Sequence, residues 1–407
     1  MTISLEVFRN EALAFFEANC ERRVEEAAFV WGRGADSVAM FEEMSKEAEA
    51  TMVASAKRWR STMFDAGFGW ITGPTEYGGR GLSSEYQRAF GETATDFRIP
   101  NESPFTIGLG MVAPTILAHG IDEVRDAYLT ALWRGDIVGC QLFSEPVAGS
   151  DLAGIQTKAE RDGDEWVING QKVWTSGAQY SDIGEIITRT SLDKPKHKGM
   201  TMFLIDMHAP GVEIRPLRQM TGGASFNEVF LTDVRVHDSH RLGGVDEGWG
   251  VALTTLMNER MAIGAGGGGS ASGNRGVERI LQMAQHFDVH ADPVVRQKIA
   301  NYYVHSRAAA LTNLRAVSKI KAGQTPGPEL SIAKLAGTNN MLRLGQLVSD
   351  VLGPRLVANT GEWGTFSWSE MITGTPGARV AGGTDEVMRN ILGERVLGLP
   401  KDPSHQK

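Results

Sequence analysis

Cysteine is scarce: Cys20 and Cys140 are the only two in 407 residues, so no disulfide framework is available and a reducing compartment is expected. No run of about 18 apolar residues occurs, which excludes a membrane-spanning helix. Residues 1–9 include Glu6 and lack the basic-then-apolar order of an export signal, so a cytoplasmic protein is expected. Basic charge is also in deficit, with 41 Lys and Arg against 49 Asp and Glu and a net charge of −8. That balance argues against a general nucleic-acid binder. The nine histidines show no zinc-like spacing with the cysteines, so no metal is expected. Neither a Gly-x-Ser-x-Gly elbow nor a Rossmann fingerprint is present, which leaves little for a nucleophilic hydrolase.

What is present is enough chain for two or three domains at roughly 150 residues each. Apolar residues first recur at three and four, as with Phe15, Val24, Phe41 and Met44, and a Gly/Pro-rich cluster at 70–82 interrupts them. The rhythm turns strand-like near Gly139. Asn169-Gly170 stands between segments 164–168 and 171–175 and predicts a hairpin turn. Segments 200–207 and 227–236 predict further strands, six to eight in all. Helical patterning returns after Gly248, over 249–284, 292–322 and 328–352, lengths suited to an antiparallel bundle. Helices, then sheet, then helices is an α+β plan, with expected domains at 1–134, 135–246 and 247–407.

Glycine is abundant, at 48 residues. The run at 264–273 lacks the Gly-Lys-Ser/Thr ending of a phosphate loop and does not follow a strand. It reads better as a helix of small residues against which another surface packs closely. Ala252, Leu256, Glu259 and Ile263 share one helical stripe. A carboxylate on an apolar stripe is costly to bury ionised, which raises its proton affinity and suits a base. The same spacing fits a glutamate at the stripe's edge paired with Arg260. Around Ser144 and Ser150, small residues and hydroxyls would let a ligand approach backbone N–H groups, as an ordinary loop also would. Trp174 and Ser176, two apart on one strand, share a face and could meet a planar heterocycle; a strand tryptophan also serves as core. Thr384 is placed to cap a helix whose first turn holds Asp385 and Glu386, leaving N–H groups there for an anion or a carbonyl.

Four stretches, in order, resemble the acyl-CoA dehydrogenase family: PTEYGGRGL, QLFSEPVAGSDLAGIQTKA from Gln141, WVINGQKVWTSGA from Trp166 and GGTDEVMRNILGERVLGLP from Gly382. The resemblance implies an N-terminal helical domain, a central β-barrel-like domain and a C-terminal four-helix bundle. It implies FAD contacted by Phe143, Ser144, Gly149, Ser150, Trp174, Thr175, Ser176, Thr384 and Glu386, with Ser150 and Arg260 near the acyl-CoA. Trp174 would lie beside the flavin ring and Ser176 at its N5. Many members place their catalytic glutamate immediately before the Gly-Thr of the last motif, where this chain has Gly382. Isovaleryl- and long-chain-type members place it on the first bundle helix before an arginine, and Glu259-Arg260 matches that place. Glu259 is therefore the expected base.

The resemblance further implies dehydrogenation to the 2-enoyl-CoA, an electron-transfer flavoprotein as acceptor, and a homodimer or homotetramer. Three departures bear on how FAD is held. Val147 stands for a usual glycine, no Arg-x-x-Phe-Gly is found at 285–289, and Leu352-Gly353-Pro354 replaces Phe-Gly-Gly. Actinobacterial-type members with such features include two-subunit enzymes acting on sterol side chains, so a heterotetramer with a paralogous subunit fits as well. Two other roles suit the same plan: a non-catalytic partner subunit, or a flavin monooxygenase needing no α-proton base.

Overall fold

Serine caps open the first helices. Ser4 accepts the Val7 N–H at 3.3 Å ahead of α1 (Leu5–Asn19), and Ser45 accepts that of Ala48 at 3.2 Å ahead of α2 (Lys46–Asp65). The computed structural model describes residues 3–23, 29–34, 36–38, 44–262, 274–321, 327 and 331–401, without the side chains of 260–262, 274–275, 316–317 and 320–321. Val24, Phe41, Ile263 and the glycine run at 264–273 lie outside them, as does the side chain of Arg260. The chain divides into two compact units, one made of Met1–Glu26, Met44–Leu217 and Ala224–Asn258, the other of Ala27–Glu43, Arg218–Gly223 and Glu259–Lys407.

In the first unit a two-stranded ladder of β1 (Glu21–Arg22) and β2 (Phe97–Arg98) ties α1 to α3 (Ser84–Ala94). The core of these helices is aromatic. Phe8, Phe15, Phe16, Trp59, Phe68, Phe90 and Phe97 are all buried, and Phe68 stacks on Phe90 at 5.1 Å. Helices α4 (Ala113–His119) and α5 (Asp122–Arg134) follow, and α5 ends on Gly135 in the left-handed region.

An eight-stranded mixed sheet comes next: β3 (Gly139–Leu142), β4 (Lys158–Asp162), β5 (Glu165–Ser176), β6 (Ile183–Arg189), β7 (Met200–Asp206), β8 (Val212–Leu217), β9 (Phe226–His237) and β10 (Arg241–Leu242). Its order is β10-β7-β6-β4-β5-β9-β8, with β3 lying parallel to β6. Strand β6 is buried throughout and β7 at every residue but the last; β7 reads as a nearly continuous apolar run, whereas β6 also buries Glu185, Thr188 and Arg189. Ile187, Met202 and Leu204 face the helices, while Ile186, Phe203 and Ile205 enter a second core with Ile168 and Val229.

Asn169-Gly170 is not a hairpin turn. The β4–β5 hairpin closes at Asp162↔Glu165, with Gly163 at φ +67°. The two turn residues are Gly163-Asp164, with glycine first as a II′ turn requires, six residues before the Asn-Gly pair. Asn169-Gly170 instead lies within β5 at a shift of register against β9. There Asn169 and Asp233 bond one another, Nδ2 to Oδ1 at 3.0 Å and Oδ1 from the Asp233 N–H at 2.8 Å. A Cβ at position 170 would come within 2.7 Å of the Thr157 backbone, so glycine is needed for close approach.

Helix α6 (Gly248–Ala262) runs through the boundary between the units. The second unit is a bundle of α7 (Asn274–His286), α8 (Pro293–Lys321), α9 (Ser331–Leu352) and α10 (Ser367–Val380), with the short α11 (Asp385–Ile391). Its core joins Ile280, Met283, Tyr302, Leu347, Val348 and Trp368. A strap from far upstream, described at residues 29–34 and 36–38, belongs to this unit. Trp31 meets Phe287 edge-on at 6.0 Å and Trp363 at 5.0 Å, and its N–H bonds Gln282 at 2.8 Å. Arg279 donates to Asp36 at 3.1 Å and lies over the Trp363 ring at 4.8 Å.

Candidate active site

The turn after β3 closes on itself, with Glu145 and Ala148 exchanging two backbone hydrogen bonds at 3.0 Å. Val147 at its tip is 70% exposed and is not among the left-handed residues, so this turn accepts a side chain there. The turn is fastened to β5 by a wholly buried ion pair. Lys172 Nζ donates to Glu145 Oε1 at 2.8 Å and to the Phe143 carbonyl at 3.1 Å. The Glu145 carboxylate also accepts the N–H groups of Gln156 at 2.6 Å and Thr157 at 3.0 Å. Burial alone would raise the Glu145 pKa, but Lys172 and these donors outweigh it and hold the carboxyl below its usual range. Burial pushes the Lys172 ammonium down to about 8, against the attraction of Glu145.

Two residues past Lys172 the strand breaks its register, and Trp174 takes a left-handed φ of +64°. A bulky residue there is a strained outlier. Its ring stands 59% exposed and meets Phe226 edge-on at 6.0 Å. Regular two-residue alternation therefore does not run from Trp174 to Ser176; the bulge sets the indole's direction. Thr175 is buried, and its hydroxyl has no hydrogen-bond partner among the described residues. None of the described residues bonds the hydroxyls of Ser144, Ser150 or Ser176, so all three can donate to a ligand. At Gly149 an added Cβ would meet nothing within 4 Å, and the backbone is not left-handed, so neither packing nor conformation calls for glycine.

Two glycines precede α11 with φ of +64° at Gly382 and +91° at Gly383. A carboxylate at Gly382 would have to adopt that left-handed backbone, a cost of roughly 1–2 kcal/mol for most residues. Thr384 caps α11, its hydroxyl accepting the Val387 N–H at 3.2 Å. Glu386 is exposed and pairs with Arg389 at 3.2 Å. Asp385 is wholly buried and accepts from Lys334 at 3.1 Å, Thr338 at 2.8 Å and Arg379 at 2.8 Å. It joins α9, α10 and α11 at one carboxylate, more than the helix-dipole role its position suggests.

On α6, Ala252 and Thr255 are buried, Leu256 and Glu259 half-buried, and Leu253 and Met257 exposed. Thr255 and Thr115 share a hydroxyl bond of 2.9 Å, and Thr254 bonds His119 at 2.8 Å, so α6 is pinned to α4 at its middle.

Comparison with known proteins matches residues 34–136, 140–234 and 246–397 to the N-terminal, middle and C-terminal domains of acyl-CoA dehydrogenases. The chain belongs to the acyl-CoA dehydrogenase family. Acyl-CoA dehydrogenase IpdE1 of Mycobacterium tuberculosis is 35% identical over 352 residues, 85% of this chain and 88% of that protein. Acyl-CoA dehydrogenase FadE34 of the same organism is 39% identical over 329 residues, 81% of this chain; the match spans only 44% of FadE34. Among solved structures, the Tcur3481-Tcur3483 steroid acyl-CoA dehydrogenase superposes with a TM-score of 0.74 at 26% identity, covering 98% of both chains. The ChsE4-ChsE5 complex from Mycobacterium tuberculosis gives 0.69 at 26% identity, covering 99% of this chain and 100% of that one. No helix among the described residues is long and apolar enough to cross a membrane.

An acyl-CoA dehydrogenase fold implies FAD, and the residues at hand fit it. Trp174 offers an exposed aromatic surface, and the hydroxyls of Ser144, Ser150 and Ser176, without partners among the described residues, offer donors for a planar, polar-edged cofactor. Sequence reasoning did not find the Glu145–Lys172 pair, the Asp385 junction or the clasp of Asn169 on Asp233. A signal for the first existed. Trp166, Ile168 and Lys172 share the buried phase of β5, and a lysine there calls for a carboxylate.

Proposed function

We propose that this chain dehydrogenates an acyl-CoA thioester at its α and β carbons, giving the 2-enoyl-CoA. The supporting observation is the match to all three family domains in order, together with Glu259 at one of the two places where the family carries its base. The other place is Gly382, whose left-handed backbone disfavours a glutamate. FAD, when bound, would supply the acceptor for the β-hydride, with an electron-transfer flavoprotein as the onward acceptor. Glu259 removes the α-proton. Phe143, Ser144, Gly149, Ser150, Thr175 and Ser176 hold the cofactor with Trp174 against its ring, joined by Thr384 and Glu386. Ser150 and Arg260 serve the acyl-CoA. The α-proton is too weakly acidic for a carboxylate alone, so N–H and O–H donors at the thioester carbonyl must stabilise the enolate-like charge.

The two-subunit relatives favour a second reading, in which the chain is one half of a heteromeric dehydrogenase. The visible spectrum of the purified chain, followed by anaerobic titration with acyl-CoA thioesters, tests both. Flavin bands that bleach on titration are expected. A protein colourless after FAD supplementation points to the partner-subunit role, and a flavoprotein that no thioester bleaches refutes the dehydrogenase reading.

Strain at Trp174 gives a further prediction. Asparagine tolerates the left-handed region, so Trp174→Asn removes strain while removing the ring. The cofactor-free variant should unfold at the same urea concentration as wild type or a higher one, yet lose FAD faster on dialysis. Unchanged FAD retention would remove Trp174 from the cofactor site.

A further inference from the structure

Asp246 stands two residues before α6 in the left-handed region, at φ +66°. Its carboxylate collects three donors from the loop after β6: Thr190 Oγ1 at 2.7 Å, Ser191 Oγ at 2.9 Å and Lys194 Nζ at 2.6 Å. Its own N–H donates to Thr201 Oγ1 at 2.9 Å. A Cβ on the neighbouring Gly248 would lie 2.8 Å from the Met200 carbonyl oxygen and the Thr201 Cα, so the chain presses against β7 as it enters the helix. The four hydrogen bonds of Asp246 converge on the start of α6.

We infer that Asp246 is a positioning residue for the proposed base, a latch that fixes the axis of α6 and thereby the place of Glu259. Two points define a line. The latch holds the start of the helix, and the Thr255–Thr115 and Thr254–His119 contacts hold its middle. At about 1.5 Å per residue, Gly248 lies roughly 10 Å before Thr255 and Glu259 roughly 6 Å beyond it. A slip of about 2 Å at the start therefore swings the Glu259 end by about 1 Å. A misplacement of that size costs on the order of 10²-fold in a proton-transfer geometry. This inference rests on Glu259 being the base.

The test compares Asp246→Ala, Asp246→Asn and Lys194→Met in the full-length holoprotein. Asparagine tolerates the same backbone and can accept from Thr190, but its amide nitrogen cannot accept from Ser191 and Lys194. The probe is whichever of butanoyl-CoA, octanoyl-CoA and a steroid side-chain CoA thioester bleaches wild type fastest. Asp246→Ala should slow bleaching at saturation about 10–100-fold, with half-saturation within about threefold and a larger α-deuterium isotope effect. Asp246→Asn and Lys194→Met should fall between it and wild type. Hydrogen exchange should quicken in the first two turns of α6 in the same order. Should Asp246→Ala not fold, the asparagine variant decides by the same measures. Wild-type exchange and bleaching in the variants overturn the latch, as does parallel loss of flavin and melting temperature with an unchanged isotope effect. A wild type that no thioester bleaches overturns the dehydrogenase reading beneath it, and the exchange data then judge the latch alone.

Discussion

Glu259→Gln should keep its FAD and lose flavin reduction by acyl-CoA by about 10²–10⁴-fold or more, the usual scale of a positioned general base. Glutamine preserves the shape of the side chain and removes its basicity. Stopped-flow bleaching of wild type and variant side by side measures the effect, and a variant reduced at the normal rate sinks the assignment. Adding Gly382→Glu to that variant is a rescue experiment, since both positions serve as the base within the family. The left-handed backbone at Gly382 works against it, so partial recovery would be strong support and failure is the expected result of strain.

Lys172→Met should destabilise the protein by about 3–5 kcal/mol, because it leaves the Glu145 carboxylate buried without its cation. Lys172→Met combined with Glu145→Gln should recover more than half of that loss, since the glutamine carbonyl can still accept from Gln156 or Thr157. Urea unfolding of the singles and the double measures both values; a single-variant loss under about 1 kcal/mol would falsify the pairing as a stabilising clamp. The pH dependence has a definite sign. The folded pKa of Lys172, about 8, lies below its ordinary 10.5. Between those values the unfolded chain holds the proton longer, so this group makes stability rise with pH in that window. Glu145 acts at the acid end. Its depressed folded pKa gives stability that is full above its unfolded value and lost as pH falls through the folded one. Both slopes should flatten in the double variant.

The order of helices, sheet and bundle was legible because each section keeps one period over many residues. Segments expected at 292–322 and 328–352 contain α8 and α9 over their described residues. The hairpin was misplaced because Asn-Gly and Gly-Asp both suit a two-residue tight turn. The choice fell to a tertiary contact, Gly170 against Thr157, which no local pattern displays. Candidate residues on the sheet could be named from motif and phase. The strained backbone of Trp174 could not, since it comes from a register shift between β5 and β9, distant in sequence. Asp246 and Asp385 look alike in sequence, each an acidic residue just before a helix or in its first turn. Only their partners, Lys194 with two hydroxyls and Lys334 with Thr338 and Arg379, reveal junctions.

The strap also has a history within each round of synthesis. Trp31 leaves the ribosome long before Gln282, which bonds its backbone from 251 residues further along the chain. At about 5–20 residues per second, Gln282 arrives roughly 13–50 s after Trp31, and Trp363, the last part of the seat, roughly 17–66 s after it. Until then the nascent chain carries an indole whose docking surface does not yet exist. Ribosome-stalled chains ending at residue 245 should therefore be cut by protease within 29–38, whereas released full-length chains should resist there. Equal protection in both would mean that the strap finds shelter before its seat is made.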